Sequence, residues 1–371
     1  MTQKEEIIEK LLHDPLNFSN SLLQRLISLD LTFDDLRECI RRIYDLSERQ
    51  LRETSNANMG MMGKLNRYST GRRIKKFNRK TNRVKENDGR VIIYAEGDSW
   101  FQFPVFITDI IDWINKVDKY HIYSEAYGGD WITNIIYESQ YVSSLSVYKP
   151  AYFLISGGGN DLVGNNRLAI MISKTPVQPK YDSANPLDDA SLTAEQVSMI
   201  MMAQEHITKE FYSFIWAIKA QYLLMFSRIY RTGSTQKDII CITQGYDYAI
   251  PGLHQTNFLF HPVQVIINKA LDNGCWLKRP MLIRGITDPI LQRAIVMTLI
   301  YEFNNMFIDL ALNFGFDRIY HVDCRGLATK PSDWYDELHY RSSNYKKVAN
   351  AYRIIIDSGG KCPRIIRVSE I

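Results

Sequence analysis

The sequence predicts an α/β protein whose parallel sheet is covered by helices on both faces. From residue 90 onward, short runs rich in β-branched and aromatic residues alternate with longer segments of helical periodicity. Parallel strands need long crossover connections, and this alternation supplies them. With 371 residues, 45% of them hydrophobic and 23% charged, the chain is expected to be globular, with one large domain and an appendage or with two domains.

Five strands are predicted, each as a short apolar run that ends at polar or glycine-rich residues. They are VIIYAE (91–96), HIYSEAY (121–127), AYFLIS (151–156), IICITQ (239–244) and RIYHVD (318–323). Helical patterns lie between them at about 105–117, 131–146, 191–231 and 289–314, with a last one near 343–357. The segment 246–285 is rich in proline, glycine and aromatic residues, and we interpret it as a lid-like excursion beside the sheet.

The part of the chain before residue 90 has a different texture. Residues 1–60 are predicted to form a helical N-terminal region, in which Thr32 is a typical helix N-cap with Asp35 three positions later. Residues 61–89 are predicted to be a basic linker, and residues 90–371 the main domain.

The segment 64–85 concentrates positive charge. It holds ten Lys or Arg and no Asp or Glu, whereas the rest of the chain has 35 basic and 41 acidic residues. A run of like charges is most often a solvated segment, which favours a linker. A second interpretation is an interface with an acidic patch on the same or a neighbouring subunit. A third is binding to nucleic acid or to an anionic membrane.

Several classes of protein are not expected. The five cysteines are odd in number and never form C-x-x-C, which argues against a disulfide framework and a zinc site. The start MTQKEEIIEK lacks the pattern of a signal peptide, and no apolar run approaches the roughly 18 residues of a membrane span. His254 and His261 lack companions at metal-ligand spacing, and no P-loop motif is present. We therefore expect a cytoplasmic protein with no metal and no cofactor.

Polar and glycine-rich motifs follow the predicted strands. They are Gly97-Asp98-Ser99-Trp100 after the first, Gly128-Gly129-Asp130 after the second, Gly157-Gly158-Gly159-Asn160-Asp161 after the third, and Asp336-Glu337-Leu338-His339 in the loop after the fifth. Because functional groups of an open parallel sheet gather at the carboxyl ends of its strands, these motifs should meet at one edge.

These residue types suit acyl transfer. A serine hydroxyl becomes a good nucleophile when a base takes its proton, and histidine does this best when a carboxylate fixes its tautomer. Asp336 and His339 are three positions apart and can lie on the same side of a turn. The Ser99 amide, a glycine amide and the Asn160 side chain would supply hydrogen bonds to a developing oxyanion.

The motifs GDSW (97–100), GGDW (128–131), GGND (158–161) and DELH (336–339) resemble, in order, the four blocks of the SGNH (GDSL-type) serine hydrolases. The resemblance runs from about residue 91 to 357. More narrowly, GDSWFQFP, SGGGND, GYDYAIP and ELH are similar to a group of bacterial GDSL-like hydrolases. The resemblance implies a flavodoxin-like three-layer α/β/α sandwich and an esterase that needs no cofactor.

The same resemblance assigns a role to each site residue. Ser99 is expected to be the nucleophile and one oxyanion donor, with Gly129 donating its amide and Asn160 its side chain. His339 would be the base, and Asp336 the acid that orients it.

The sequence departs from the family pattern next to the histidine. Tyr340 and Asn344 stand where family members often have proline and, a few residues later, glycine. Asparagine tolerates left-handed backbone conformations, so we expect the turn to survive. The G-x-S-x-G elbow of α/β-hydrolases is absent, because Phe101 stands where its last glycine would be.

Other residues near these motifs have more than one interpretation. Asp98 and Asp161 are expected to brace turns rather than to react. Trp100, Tyr246 and Tyr248 are candidates for a substrate pocket, since they lie near the ends of strands. The alternative for the excursion is a packed loop that shields the sheet edge.

The function we predict is that of a serine hydrolase that cleaves an ester through an acyl-enzyme at Ser99. The expected substrate is a small-molecule or lipid ester, including acetylated substrates. One alternative is an acyltransferase on the same fold. Another is a nucleic-acid or membrane-associated binding protein that uses the segment 64–85, with an anionic partner or a subunit interface there. Acyl length and oligomeric state stay open.

Overall fold

The predicted α/β fold with a parallel sheet is confirmed. In a computed structural model of the chain, the described residues are 1–47, 60–82, 89–103, 107–231, 234, 236–253 and 275–371. They contain one six-stranded sheet in the order β2-β1-β3-β4-β5-β6, with every neighbouring pair parallel. The strands are β1 Val91–Gly97, β2 Tyr120–Ser124, β3 Tyr152–Ser156, β4 Ile240–Gln244, β5 Ile319–Asp323 and β6 Ile365–Arg367.

Five of the six strands lie within a few residues of their predicted positions. Every residue of β3, β4 and β5 is buried, as expected for central strands covered on both faces. The sixth strand, β6, was not predicted. It has only three residues and lies at the edge of the sheet, so its apolar run is too short to stand out.

Thirteen α-helices surround the sheet among the described residues. They are α1 Gln3–His13, α2 Asn20–Ser28, α3 Phe33–Ile43, α4 Gly60–Asn82, α5 Ile110–Ile114, α6 Ile132–Glu138, α7 Gln140–Tyr148, α8 Gly159–Val163, α9 Ala194–Ala203, α10 Lys209–Tyr230, α11 Lys278–Ile283, α12 Pro289–Asn313 and α13 Ser342–Asp357. Helices α12 and α13 both contact β5, and α10 packs on α12 while α5 packs on α13. This arrangement is consistent with three layers.

Some predicted helices are divided in the structure. The pattern at 131–146 forms α6 and α7, which are separated by Ser139 in the left-handed conformation with φ 55°. The pattern at 191–231 forms α9 and α10, with a short 3₁₀ turn between them. Periodicity marks both helices of such a pair but not the backbone reversal between them.

The N-terminal helices are part of the main body. Helices α1 and α3 pack on α10, and their apolar faces join the same hydrophobic cluster as the sheet. Thr32 caps α3 and exchanges hydrogen bonds with Asp35, as the sequence predicted. The buried Tyr44 hydroxyl donates to the Asp161 carbonyl at 2.6 Å, which ties this region to the loop after β3.

The described part of the basic segment, residues 64–82, is helical and not the predicted linker. The 23-residue helix α4 packs beside the edge strand β2 and buries one face against the main body. Its buried positions include Asn66, Ser69, Arg73 and Phe77, which recur at helical spacing. Three of these four side chains are polar, so the buried face of the helix has no apolar periodicity that would predict it from the sequence.

Helix α12 is the only helix among the described residues that is long and apolar enough to cross a membrane. In the most apolar 18-residue stretch of this helix, 72% of the residues are buried inside the structure, as in a core helix.

All five cysteines have free thiols.

Candidate active site

The four motifs meet at the carboxyl edge of the sheet. Ser99 lies two residues past the end of β1, because Gly97 ends that strand in close contact with β3. A Cβ atom at Gly97 would lie 2.5 Å from the Ser156 carbonyl oxygen, so only glycine fits. The motif that contains His339 comes from the loop between β5 and α13.

Ser99, His339 and Asp336 form a continuous hydrogen-bonded chain. The Ser99 Oγ lies 2.7 Å from the His339 Nε2. The His339 Nδ1 lies 2.9 Å from both carboxylate oxygens of Asp336. This is the geometry in which an imidazole takes the serine proton through Nε2 while a carboxylate holds Nδ1–H.

The Asp336 carboxylate is held in place by its own loop. Its Oδ1 also accepts the backbone amides of Leu338 and His339, both at 2.8 Å. The His339 ring is 4% exposed, and it packs edge-on against Phe103 with ring centroids 4.7 Å apart. The imidazole therefore has one orientation, with Nε2 directed at the serine.

Tyr340, the residue next to His339, is held by hydrogen bonds that fix the turn. Its buried hydroxyl donates to the Asp247 carboxylate at 2.6 Å. Asp247 also accepts the amides of Gly326 at 2.7 Å and Ala328 at 2.8 Å, so it joins the loops after β4 and β5 to the residue next to the histidine. Burial raises the pKa of Asp247 to about 6, and the hydrogen bond from Tyr340 opposes the rise.

The tolerance of Asn344 for left-handed conformations is not used in the structure. The residue lies in the first turn of α13 with ordinary helical geometry. Its side-chain amide is buried and donates to the Asp333 carbonyl at 3.3 Å.

Three amide groups at this edge are available to an oxyanion. Within the described residues, the backbone N–H groups of Ser99 and Gly129 have no hydrogen-bond acceptor. The Asn160 side chain gives one of its two hydrogens to the Asp130 carbonyl at 2.9 Å and keeps the other. Gly129 has φ 93°, a conformation that favours glycine.

Asp98 and Asp161 brace turns, as the sequence predicted. The Asp98 carboxylate accepts hydrogen bonds from the Trp100 amide at 3.0 Å and from the Tyr246 hydroxyl at 2.5 Å. Burial raises the pKa of Asp98, and these two hydrogen bonds oppose the rise. The Asp161 carboxylate accepts the Ile132 amide at 2.8 Å and so satisfies the start of α6.

An apolar pocket opens beside Ser99. It is partly open to solvent. Of the three candidates for a substrate pocket, Trp100 and Tyr246 line this cavity, whereas Tyr248 does not and packs instead with Ile200 and Met297. The rest of the wall is mainly aliphatic and includes Leu162, Val163, Leu168, Leu277, Val296, Leu299 and Ile300.

The role of Glu337 was not predicted from the sequence. This residue is fully buried, and its carboxylate accepts the amides of Gly252, Leu277 at 2.8 Å and Lys278 at 3.3 Å. It therefore fastens both described ends of the excursion to the motif that carries the histidine. A charged residue between Asp336 and His339 was a visible signal, but nothing in the sequence pointed to its partners. His254 and His261 lie outside the described residues.

Within the described ranges, no group of three or more His, Cys, Asp or Glu side chains is arranged to hold a metal ion. No protein-family model matches this chain, and no curated protein matches it either. The resemblance to the SGNH hydrolases therefore rests on the four motifs, and the site geometry is independent of it.

Proposed function

We propose that this protein is a serine hydrolase of the SGNH type that acts on esters through an acyl-enzyme at Ser99. One observation carries the proposal: Ser99 Oγ, His339 and Asp336 are linked by hydrogen bonds of 2.7 and 2.9 Å at the carboxyl edge of a parallel sheet. A buried histidine with a serine on one nitrogen and a carboxylate on the other has few structural reasons to exist.

In the first half of the reaction, Ser99 Oγ attacks the ester carbonyl carbon while His339 Nε2 takes the hydroxyl proton. The carbonyl oxygen becomes an oxyanion, which the amides of Ser99 and Gly129 and the Asn160 side chain would stabilise. Asp336 stabilises the imidazolium that forms. When the carbonyl re-forms, the bond to the leaving alcohol breaks, and His339 returns the proton to that alcohol.

In the second half, water attacks the acyl-enzyme and His339 takes a proton from it. The oxyanion forms again in the same place, and its collapse releases the acid and returns the proton to Ser99 Oγ. The net change is one ester and one water converted to one acid and one alcohol. If an alcohol entered in place of water, the same steps would transfer the acyl group.

The lining of the pocket favours a substrate with an apolar acyl group. Among the described residues, the pocket wall holds no Lys, Arg or His, and its only acidic groups, Asp98 and Asp247, are buried and already accept several hydrogen bonds. A charged acyl chain would therefore lose its hydration without gaining a partner. Each buried methylene would contribute about 0.8 kcal/mol, so activity should rise with acyl length until the chain reaches the pocket wall.

The test is labelling with a fluorophosphonate, which reacts with an activated serine beside an oxyanion hole and requires no knowledge of the substrate. We expect the label on Ser99 and none in Ser99→Ala or His339→Ala, with each variant folded by circular dichroism. Ser143→Ala, which changes an exposed serine, is the matched control and should label like the wild type. Absence of labelling in folded wild-type protein would refute the proposal.

The identity of the product distinguishes hydrolysis from acyl transfer. An ester panel from acetate to dodecanoate, run with and without an added alcohol, reports acid or a new ester. Acid as the main product in the presence of alcohol supports a hydrolase, and preferential formation of the new ester would make the protein an acyltransferase.

We also propose a cytoplasmic location, which is compatible with the five free thiols.

A further inference from the structure

We propose that helix α4 is a working part of this active site and that Asn66 on it is a positioning residue for the oxyanion hole. The inference rests on the proposed function, because it concerns the amide of Gly129. It also gives a role to the basic segment, which the chemistry above does not use.

The Asn66 side chain forms hydrogen bonds with both the carbonyl and the amide of Gly128. Its Nδ2 donates to the Gly128 carbonyl at 2.9 Å, and its Oδ1 accepts the Gly128 amide at 3.2 Å. The Asn66 side chain is fully buried. Its other neighbour is Gln102, whose Nε2 lies 3.3 Å from both the Asn66 carbonyl and the Asn66 Oδ1.

The carbonyl that Asn66 holds belongs to the peptide group that ends in the Gly129 N–H. A trans peptide is planar, so its carbonyl and its N–H point in opposite directions. Fixing the Gly128 oxygen therefore fixes where the Gly129 N–H points. The same N–H has no acceptor within the described residues and stays available to the substrate.

The peptide group between Gly128 and Gly129 needs a restraint from outside its own loop. Glycine flanks it on both sides, and Gly129 has φ 93°, so little in the local backbone opposes rotation of the peptide plane. A rotated plane would present a carbonyl oxygen to the oxyanion in place of a donor. The hydrogen bond to the carbonyl also polarises the peptide and strengthens its N–H as a donor.

Helix α4 holds the nucleophile loop as well. The Arg73 guanidinium donates to the Phe101 carbonyl at 2.6 Å, two residues after Ser99. Thr70 exchanges hydrogen bonds with the Gln102 side chain, with Nε2 donating at 3.0 Å. One helix thus fixes both loops that supply backbone donors to the oxyanion.

The experiment compares Asn66→Asp and Asn66→Ala with the wild type and with Asn78→Ala, an exposed asparagine on the same helix. Aspartate keeps the acceptor but loses the donor, and its charge faces the Gly128 carbonyl. We expect kcat and the rate of fluorophosphonate labelling at Ser99 to fall by about 10² or more, the effect of losing one oxyanion donor. KM should change little, and Asn78→Ala should match the wild type.

The pH profile gives a signature that a merely structural role would not produce. The carboxyl group introduced by Asn66→Asp regains a donor when it is protonated, so the activity of this variant relative to the wild type should rise as the pH falls. Asn66→Ala has no such group, and its relative activity should be constant with pH. If Asn66→Asp does not fold, Asn66→Ala and Asn66→Ser provide the same comparison of kcat with KM.

Folded Asn66→Ala with a kcat and a labelling rate within about twofold of the wild type would overturn this inference and leave the proposed function standing, because an oxyanion donor is worth far more. A rise in KM at constant kcat would also overturn it. Failure of the wild type to label at Ser99 is a different result, and it would refute both proposals.

Discussion

Replacing Arg73 by methionine tests whether helix α4 is an integral part of the fold. Arg73 is 3% exposed, and its guanidinium lies 2.5 Å from the Asp109 carboxylate, which is fully buried. The Asp109 carboxylate also accepts the Phe103 amide at 3.1 Å, and Phe103 packs against the His339 ring. Methionine preserves much of the side-chain volume and removes only the charge and its hydrogen bonds.

The expected loss of stability is large because one buried charge is left without its partner. Breaking a buried ion pair from one side costs about 3–5 kcal/mol. Burial raises the pKa of Asp109 even beside Arg73, and removing the guanidinium raises it further. Between the Asp109 pKa of the wild type and the higher pKa of the variant, only the variant keeps this carboxyl protonated when folded and releases the proton on unfolding. Over that range, the deficit of the variant in the free energy of unfolding should grow by up to about 1.4 kcal/mol per pH unit.

The assay is urea unfolding of the wild type and Arg73→Met between pH 6 and 9. Arg72→Met is the matched control, since the Arg72 side chain is 60% exposed and lies 3.7 Å from Asp112. An exposed ion pair contributes about 0.2–1 kcal/mol, so this variant should be nearly as stable as the wild type.

Equal effects of the two substitutions would refute the argument. A deficit below about 1 kcal/mol for Arg73→Met would mean that the pair behaves like a surface contact. A deficit that does not change with pH would mean that the Asp109 carboxyl does not take up a proton when its partner is removed.

Two further substitutions probe buried carboxyl groups. Burial raises the pKa of Glu96 to about 8, so the folded protein holds a proton that unfolding releases. The free energy of unfolding of the wild type, measured in urea, should therefore fall as the pH rises from about 5 to 8, and Glu96→Gln should reduce this dependence. The same pH dependence in both proteins would contradict the raised pKa of Glu96. Glu337→Ala removes the acceptor of three amides, one of them from Leu277 on the pocket wall, and should raise KM for long-chain esters more than for acetate. A uniform loss of kcat at constant KM would contradict this.

The core of the candidate site was predictable from local signals. Ser99 and Asn160 each follow an apolar run that ends in glycine, and parallel strands bring their carboxyl ends to one edge. Asp336 and His339 are close in the chain, so their contact needs only a turn. The contact between Ser99 and His339 spans 240 residues, and the sheet topology alone makes it expected.

The supporting contacts were not predictable in the same way. Tyr340 is held by Asp247, 93 residues earlier in the chain, where the family pattern would suggest proline. Tyr248 has the same residue type as Tyr246 and is two positions away, yet it packs outside the pocket. Which aromatic side chain faces the pocket depends on the path of the loop after β4, and composition does not specify that path.

The sequence by itself determined the α/β class, the parallel sheet and the residues that meet at its edge, because apolar runs, glycine turns and strand order are local or topological signals. Only the tertiary structure decided what residues 60–82 do. Asn66 reaches Gly128 across 62 residues through complementary polar atoms. Such pairing has no periodic signature, since the buried face of α4 matches the polar atoms of two loops rather than an apolar surface.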